Sequence, residues 1–286
     1  MRVSRSRLAD STIILNRDAP IGIFDSGIGG LSVLRHVHTL LPDESLLYFA
    51  DSGFAPYGEK PETVIVERTV SIAAFLLTQN IKALVVACNT ATAAAIAGLR
   101  ARYPELPVVG VEPGLKPAAN LTRSGAIGVL ATTNTLASDK FLKLQSQVAQ
   151  DASVTFLLQA CNGLAHQIEK GELSSRETYQ LVERYVRPLV EQGADTLVLG
   201  CTHYPFVEQL IREVAGPGVS IVDTGEPVAR QLQRLLEQRD LLRQVPAVDK
   251  LLAYTTGSSS TLSLAFSKLL RLDALVRVVS ATHVGQ

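Results

Sequence analysis

The chain has 286 residues, 47% hydrophobic and 19% charged, enough apolar material for about two packed domains and too much for a disordered chain. Lys plus Arg and Asp plus Glu both count 27, and with no Trp, 7 Tyr and 8 Phe the chain lacks the basic footprint and stacking aromatics of a general nucleic-acid binder. No apolar run reaches the ~20 residues of a membrane span, and 3 cysteines without a C-x-x-C fit a reducing cytoplasm better than a disulfide framework.

Residues 1–19 read as a polar extension, with Arg2, Arg5, Arg7 and Arg17 set against Asp10 and Asp18. The only apolar patch there, Ile13-Ile14-Leu15, is too short for the core of a signal peptide. From Pro20 onward, short β-branched runs alternate with helix-length segments. The pattern predicts strands at 21–24, 46–49, 83–87, 108–111, 127–130, 154–158, 196–199, 220–222 and 251–254. Helical segments fall at 62–78, 91–99, 174–192 and 206–214, with another stretch from about 229 and a last one after the loop at 256–261. Such alternation describes an α/β chain with mostly parallel sheets.

The motifs recur in order. Ile21-Gly22-Ile23-Phe24-Asp25-Ser26 resembles Ile127-Gly128-Val129-Leu130-Ala131-Thr132, and the strand ending in Cys88-Asn89-Thr90 resembles the one ending in Cys201-Thr202-His203. Val109-Gly110-Val111-Glu112-Pro113-Gly114 loosely resembles Ile221-Val222-Asp223-Thr224-Gly225. One such match is weak, but three in sequence predict two pseudo-symmetric α/β domains with a ligand cleft between them. The division expected is an extension over 1–19, a first domain over 20–112 plus 225–286, and a second over 113–224.

Cys88 and Cys201 occupy the same point of both halves, after an apolar strand and before a helix. That is the carboxyl end of a strand and the positive end of a helix, where a thiolate is favoured. Cys161 has no such setting and reads as a small buried hydrophobe. His203, two residues beyond Cys201, can take the thiol proton or stabilise thiolate. Cys88, Cys201 and His203 are also three conceivable zinc ligands, although the first thiol lacks a closely spaced Cys or His partner. His36, His38, His166 and His283 carry no motif.

Asp25-Ser26-Gly27-Ile28-Gly29-Gly30 closes the first strand with a glycine-rich turn. It fails the dinucleotide fingerprint, since Ser32 stands at the last glycine position, and it lacks the Lys-Ser/Thr of a P-loop. What it offers is an acid, a hydroxyl and exposed amides. Asp51 and the Pro56-Tyr57-Gly58 turn follow the second strand on the same rim. Thr132, Thr133 and Thr135 follow the fifth, as helix caps or anion donors.

Taken together, Phe24–Leu34 (FDSGIGGLSVL), Pro56–Lys60, Val85–Thr92 (VVACNTAT), Gly110–Ala118 and Val198–Phe206 (VLGCTHYPF) resemble the glutamate racemases of the aspartate/glutamate racemase family. The resemblance runs from Pro20 to the C-terminus. It implies cofactor-independent interconversion of L- and D-glutamate, with no metal, in a cytoplasmic enzyme supplying peptidoglycan synthesis. By the same resemblance Cys88 and Cys201 are the acid/base pair, assisted by Asp25 and His203 respectively. Ser26, Tyr57, Gly58, Asn89, Thr90, Thr132, Thr135, Thr202 and His203 then contact substrate. Asp51 and Glu169 match further acidic positions, although Asn162-Gly163-Leu164 departs from the proline-containing form that precedes the latter. Some members are homodimers, and some with an N-terminal extension respond to a UDP-linked muramyl peptide.

Racemisation suits paired thiols, because a proton leaves one face of the α-carbon and returns on the other. Arginine is absent from every box, so substrate carboxylates fall to Ser, Thr and Asn side chains and helix amides. Three alternatives stay open on the residues: a racemase for aspartate or another amino acid, a zinc hydrolase built on Cys88, Cys201 and His203, and a binding or regulatory protein without turnover.

Overall fold

A computed structural model of the chain describes residues 15–248 and 250–280. Two parallel sheets carry the architecture. The first runs in the order β10-β9-β2-β1-β3-β4, with β1 Ile21–Asp25, β2 Leu46–Ala50, β3 Ala83–Val86, β4 Val108–Gly110, β9 Leu251–Thr255 and β10 Leu275–Val278. The second runs β6-β5-β7-β8, with β5 Ala126–Ala131, β6 Thr155–Ala160, β7 Thr196–Gly200 and β8 Ser220–Val222. β1, β2, β3 and β7 are buried along their whole length, as expected of strands covered by helices on both faces.

The helices in chain order are α1 Leu31–Leu40, α2 Glu62–Thr78, α3 Asn89–Arg102, α4 Leu115–Leu121, α5 Thr133–Ala137, α6 Asp139–Ala152, α7 Leu164–Glu169, α8 Arg176–Glu191, α9 Glu208–Ala215, α10 Gly225–Gln238 and α11 Ser259–Ala265. None is long and apolar enough to cross a membrane. Apolar clusters fill the faces of both sheets, one around Ile23, Leu34 and Leu232 and another around Phe49, Ile72 and Val86 in the first lobe. In the second lobe, Leu199 with Val186 and Val129 with Phe141 mark the two counterparts.

The internal repeat is visible in the pairing itself. Ile21 lies opposite Ala83 as Ile127 lies opposite Thr196, and Leu84 opposite Val108 as Leu197 opposite Ile221. The core order β2-β1-β3-β4 therefore matches β6-β5-β7-β8. In each sheet the strand order reverses beside the first strand of the unit, which opens a crevice at the carboxyl ends of β1 and β3 in one lobe and of β5 and β7 in the other.

The chain leaves the first sheet after β4 and returns to it through α10, β9 and β10. The two crossings touch, since a Cβ on Gly114 would stand 2.7 Å from Val222 Cγ1. Asp223 accepts hydrogen bonds from the backbone N–H groups of Thr224 and Gly225 at the start of α10.

Three sequence expectations need correction. The edge strand β10 was not expected: Leu275-Val276-Arg277-Val278 is short, interrupted by a charge and largely exposed, so its hydrophobic pattern is weak. The helix expected from residue 206 begins as a 3₁₀ turn over Tyr204–Val207 and becomes α-helical only at Glu208. α3 begins at Asn89, two residues before its expected start, with Cys88 as its N-cap. Residues 1–14 of the polar extension and His283 lie outside the described residues. Leu15 packs against both cores of the first lobe, and Arg17 pairs with Asp240 at 2.5 Å.

Candidate active site

The carboxyl ends of the two sheets face one another, and most of the residues singled out in the sequence meet there. Asp25, Ser26, Cys88, Asn89, Thr90, Thr202, Cys201 and His203 are all buried. Cross-lobe hydrogen bonds hold the crevice shut. Thr202 Oγ1 donates to Asp25 Oδ2 at 3.2 Å, Ser32 Oγ to the Thr202 carbonyl at 2.8 Å, and Thr90 Oγ1 lies 3.1 Å from Thr132 Oγ1. Ser32, the residue that spoils the dinucleotide fingerprint, thus ties the glycine turn to the other lobe.

The two thiols have different surroundings. Cys88 accepts a hydrogen bond from Ala91 N at 3.4 Å across the first turn of α3, and its S–H donates to Ser26 Oγ at 3.7 Å. Burial, and then the charge of Asp25, push its proton affinity up to about 12. The charge of Cys201 is also felt at Cys88, which puts both sulfurs in one electrostatic environment. Cys201 has no α-helix beginning beside it. Its Sγ lies 3.6 Å from His203 Nδ1 instead.

His203 Nε2 lies 2.9 Å from Glu169 Oε2. Burial works against a charge on the ring, but the hydrogen bonds to Cys201 and Glu169 outweigh it and hold His203 well above an ordinary histidine. Burial likewise opposes the Glu169 carboxylate, and His203, Ile28 N–H and Ser52 overcome it, so this group ionises below the usual carboxylate range. An ionised carboxylate only accepts, which fixes the proton on His203 Nε2. Nδ1 then faces Cys201, as an N–H toward thiolate or a lone pair toward thiol.

Asp25 is fully buried. Burial raises its proton affinity, against the charge of His203 and the Gly27 N–H, which donates to Oδ1 at 2.7 Å. The glycines of the turn have a steric reason. A Cβ on Gly29 would stand 2.4 Å from His203 Nδ1, and one on Gly27 would stand 2.2 Å from Glu169 Oε2. Thr132 accepts from Thr135 N as the cap of α5, and its hydroxyl joins those of Thr90 and Thr135 in a cluster. Next to it the Asn89 side chain is buried with neither amide atom hydrogen-bonded among the described residues, a donor and an acceptor left for something else.

Asp51 is held by side chains of the first lobe. Arg68 grips it with Nε at 2.9 Å and Nη2 at 2.7 Å, Tyr57 OH donates at 2.5 Å and Thr256 Oγ1 at 2.7 Å. Its four bonds anchor the loop that carries Ser52 and Tyr57. Gly58 packs that loop on the other lobe, since a Cβ there would meet Thr132 Cβ at 2.8 Å. Cys161 is buried in the apolar cluster with Leu164 and Tyr204, and its S–H donates to the Gln159 carbonyl at 3.5 Å. Sequence reasoning missed Ser52, Arg68 and Asn134, none of which carries a motif of its own. Among the described residues, no three His, Cys, Asp or Glu side chains are placed to hold a metal ion, so the zinc reading of Cys88, Cys201 and His203 finds no ligand set.

Two thiols thus meet in one closed crevice between matched α/β lobes, Cys88 beside Asp25 and Cys201 beside His203. A family model described as Asp/Glu/Hydantoin racemase matches residues 21–232, and the chain belongs to that family. The chain is 58% identical over 229 residues to a glutamate racemase of Ectopseudomonas mendocina, covering 80% of this chain and 86% of that one. Glutamate racemase isoform RacE1 from Bacillus anthracis superposes with a TM-score of 0.84 at 32% identity, over 93% of this chain and 99% of that chain. The Escherichia coli glutamate racemase, solved with L-glutamate and the activator UDP-MurNAc-ala, gives 0.79 at 31% identity over 92% and 98%.

Proposed function

We propose that this chain interconverts L- and D-glutamate without a cofactor, using Cys88 and Cys201 as the two acid/base groups, and that the D-glutamate serves peptidoglycan synthesis. The observation that carries the reading is the meeting of both thiols in one buried crevice, Cys201 beside His203 and Cys88 beside Asp25. His203, held protonated, offers Nδ1–H to a sulfur anion on Cys201, while Cys88 beside Asp25 keeps its proton. With the proton on one sulfur and not on the other, the pair would act as acid and base, as a two-base racemase requires.

In one direction Cys201 thiolate takes the α-proton of one enantiomer. The electron pair passes to the α-carbon and its carboxylate, and Cys88 S–H delivers a proton to the opposite face. Cys201 is left as thiol and Cys88 as thiolate, and the reverse reaction restores them. Asp25 suits the substrate ammonium: burial raises its proton affinity despite the charge of His203, and an ammonium beside it would offset that burial and also lower the cost of ionising Cys88. The Thr90, Thr132 and Thr135 hydroxyls, Ser26 and the unpartnered Asn89 amide suit carboxylates in a site without arginine. Glutamate rather than aspartate is the substrate we infer, because relatives such as the Ectopseudomonas mendocina protein are glutamate racemases by name.

The test is α-proton exchange in heavy water with each pure enantiomer. Wild-type protein is expected to wash deuterium into glutamate, and faster than into aspartate. Cys88→Ala and Cys201→Ala are each expected to lose racemisation by about a thousandfold or more, with unchanged circular dichroism. Either variant racemising at the wild-type rate defeats the assignment. We further propose that a UDP-linked muramyl peptide activates the enzyme through the N-terminal extension, in line with the Escherichia coli complex. Deleting residues 1–14, which leaves Leu15 and Arg17 in place, is expected to abolish that response, and an undiminished response excludes the extension.

A further inference from the structure

We propose that Ser52 is a positioning residue that ties the Cys201 half of the site to closure of the lobes through Glu169. The inference rests on the two-thiol reading above. Glu169 ends α7 in the second lobe, yet two of its bonds come from the first. Ser52 Oγ donates to Oε1 at 3.0 Å and Ile28 N to Oε2 at 2.9 Å. The same carboxylate holds His203, which faces Cys201. When the lobes part, Glu169 loses both donors and is free to swing away from the imidazole. The direct hydrogen-bond partners of Cys88, Ser26 Oγ and Ala91 N, sit in its own lobe, and among the described residues the only bond Ser52 makes to the site runs to Glu169.

Ser52 is itself held rigidly. A Cβ on Gly257 would stand 2.9 Å from Ser52 Cβ, and Thr256 Oγ1 accepts from Gly53 N at 3.1 Å while donating to Asp51. The loop after β9 thus backs the hydroxyl against Glu169. Closure therefore assembles a chain of contacts from Ser52 through Glu169 and His203 to Cys201.

The experiment compares wild type, Ser52→Ala and Ser52→Thr, measuring kcat/KM for both enantiomers and the isotope effect of each α-deuterated enantiomer. At equilibrium the enantiomers are equal in energy, so kcat/KM must fall together in both directions, here by about three- to tenfold. The asymmetry appears in the isotope effects. In Ser52→Ala the proton transfer at Cys201 becomes more rate-limiting, so the effect rises for one enantiomer and falls for the other. The high-pH limb of kcat/KM moves to lower pH, because Glu169 steadies the His203 charge less well. Ser52→Thr, which keeps the hydroxyl, restores all three. A general loss of structure would move both isotope effects the same way or neither, and either result overturns the proposal. If Ser52→Ala matches wild type while Cys201→Ala is dead, the proposal falls and the two-thiol reading stands. Wild-type protein without α-proton exchange overturns both.

Discussion

At the scale of single residues, the site is built by pairing each reactive group with a neighbour that fixes its proton. The Glu169–His203 pair carries a sign that can be checked. His203 is raised above 6.5, so the pair's contribution to stability is full below that pH and is lost as pH rises through the raised value. Glu169 is lowered below 4.5, so its contribution is present above that pH and is lost as pH falls through the lowered value. The pair therefore stabilises the fold across a window running from below 4.5 to above 6.5. Glu169→Gln keeps the shape and removes the charge, so the His203 ring is expected to titrate at lower pH, visible in the NMR shift of its Cε1 proton. An unchanged midpoint would mean that Cys201 alone holds the imidazolium. The sequence exposed the thiols and His203 because each sits at a motif. Ser52 was invisible, since a lone serine in a loop signals nothing until Glu169 arrives from another element.

Elements were legible wherever hydrophobic periodicity was strong. α2 spans 62–78 as the pattern implied, and nine of the ten strands among the described residues were foreseen to within one or two residues at each end. Failures came where packing rather than pattern decides the outcome, as with β10 and with the 3₁₀ turn that places His203 rather than an α-helix N-terminus beside Cys201. Asp51 shows the same limit: its rim position was readable, but its bidentate grip by Arg68 depends on how α2 packs. Lys82 is a comparable case at the start of β3. Its ammonium is buried, 2.5 Å from Glu44 Oε2, and donates to the carbonyls of Arg17 and Leu241. These bonds join the entrance of β3 to the turn before β2, the segment before β1 and the end of α10. Lys82→Met would strand the Glu44 carboxylate without its cation, at a cost of about 3–5 kcal/mol. Urea unfolding at pH 7 reads this directly. A loss under about 1 kcal/mol would mean that Glu44 finds another donor or takes up a proton.

For the whole molecule, the decisive property is that the site is closed. Asp25 has no exposure, and both thiols have under a tenth, so glutamate reaches them only when the lobes separate. The bonds across the crevice set the free energy of that opening. Asn134 of α5 contributes two, donating from Nδ2 to the carbonyls of Lys60 at 2.8 Å and Tyr57 at 3.2 Å. It touches neither thiol, and it stands beside a cleft of about 260 Å³ that also reaches Thr90, Ala94 and Lys140. The clasp thus lies at an edge of the contact between the lobes. Asn134→Ala removes the clasp but leaves every acid/base group in place. Losing two such bonds shifts the balance toward the open form by about 1–3 kcal/mol, less whatever water returns to the freed carbonyls. Substrate binding must then supply the closure, so KM is expected to rise about three- to tenfold for both enantiomers. Substrate-saturated enzyme is pulled shut again, leaving kcat unchanged, or higher if product release limits turnover. Small-angle scattering should show a larger radius of gyration for the free variant and a wild-type value with saturating glutamate. A fall in kcat at unchanged KM would place Asn134 in the chemical step instead of at the gate.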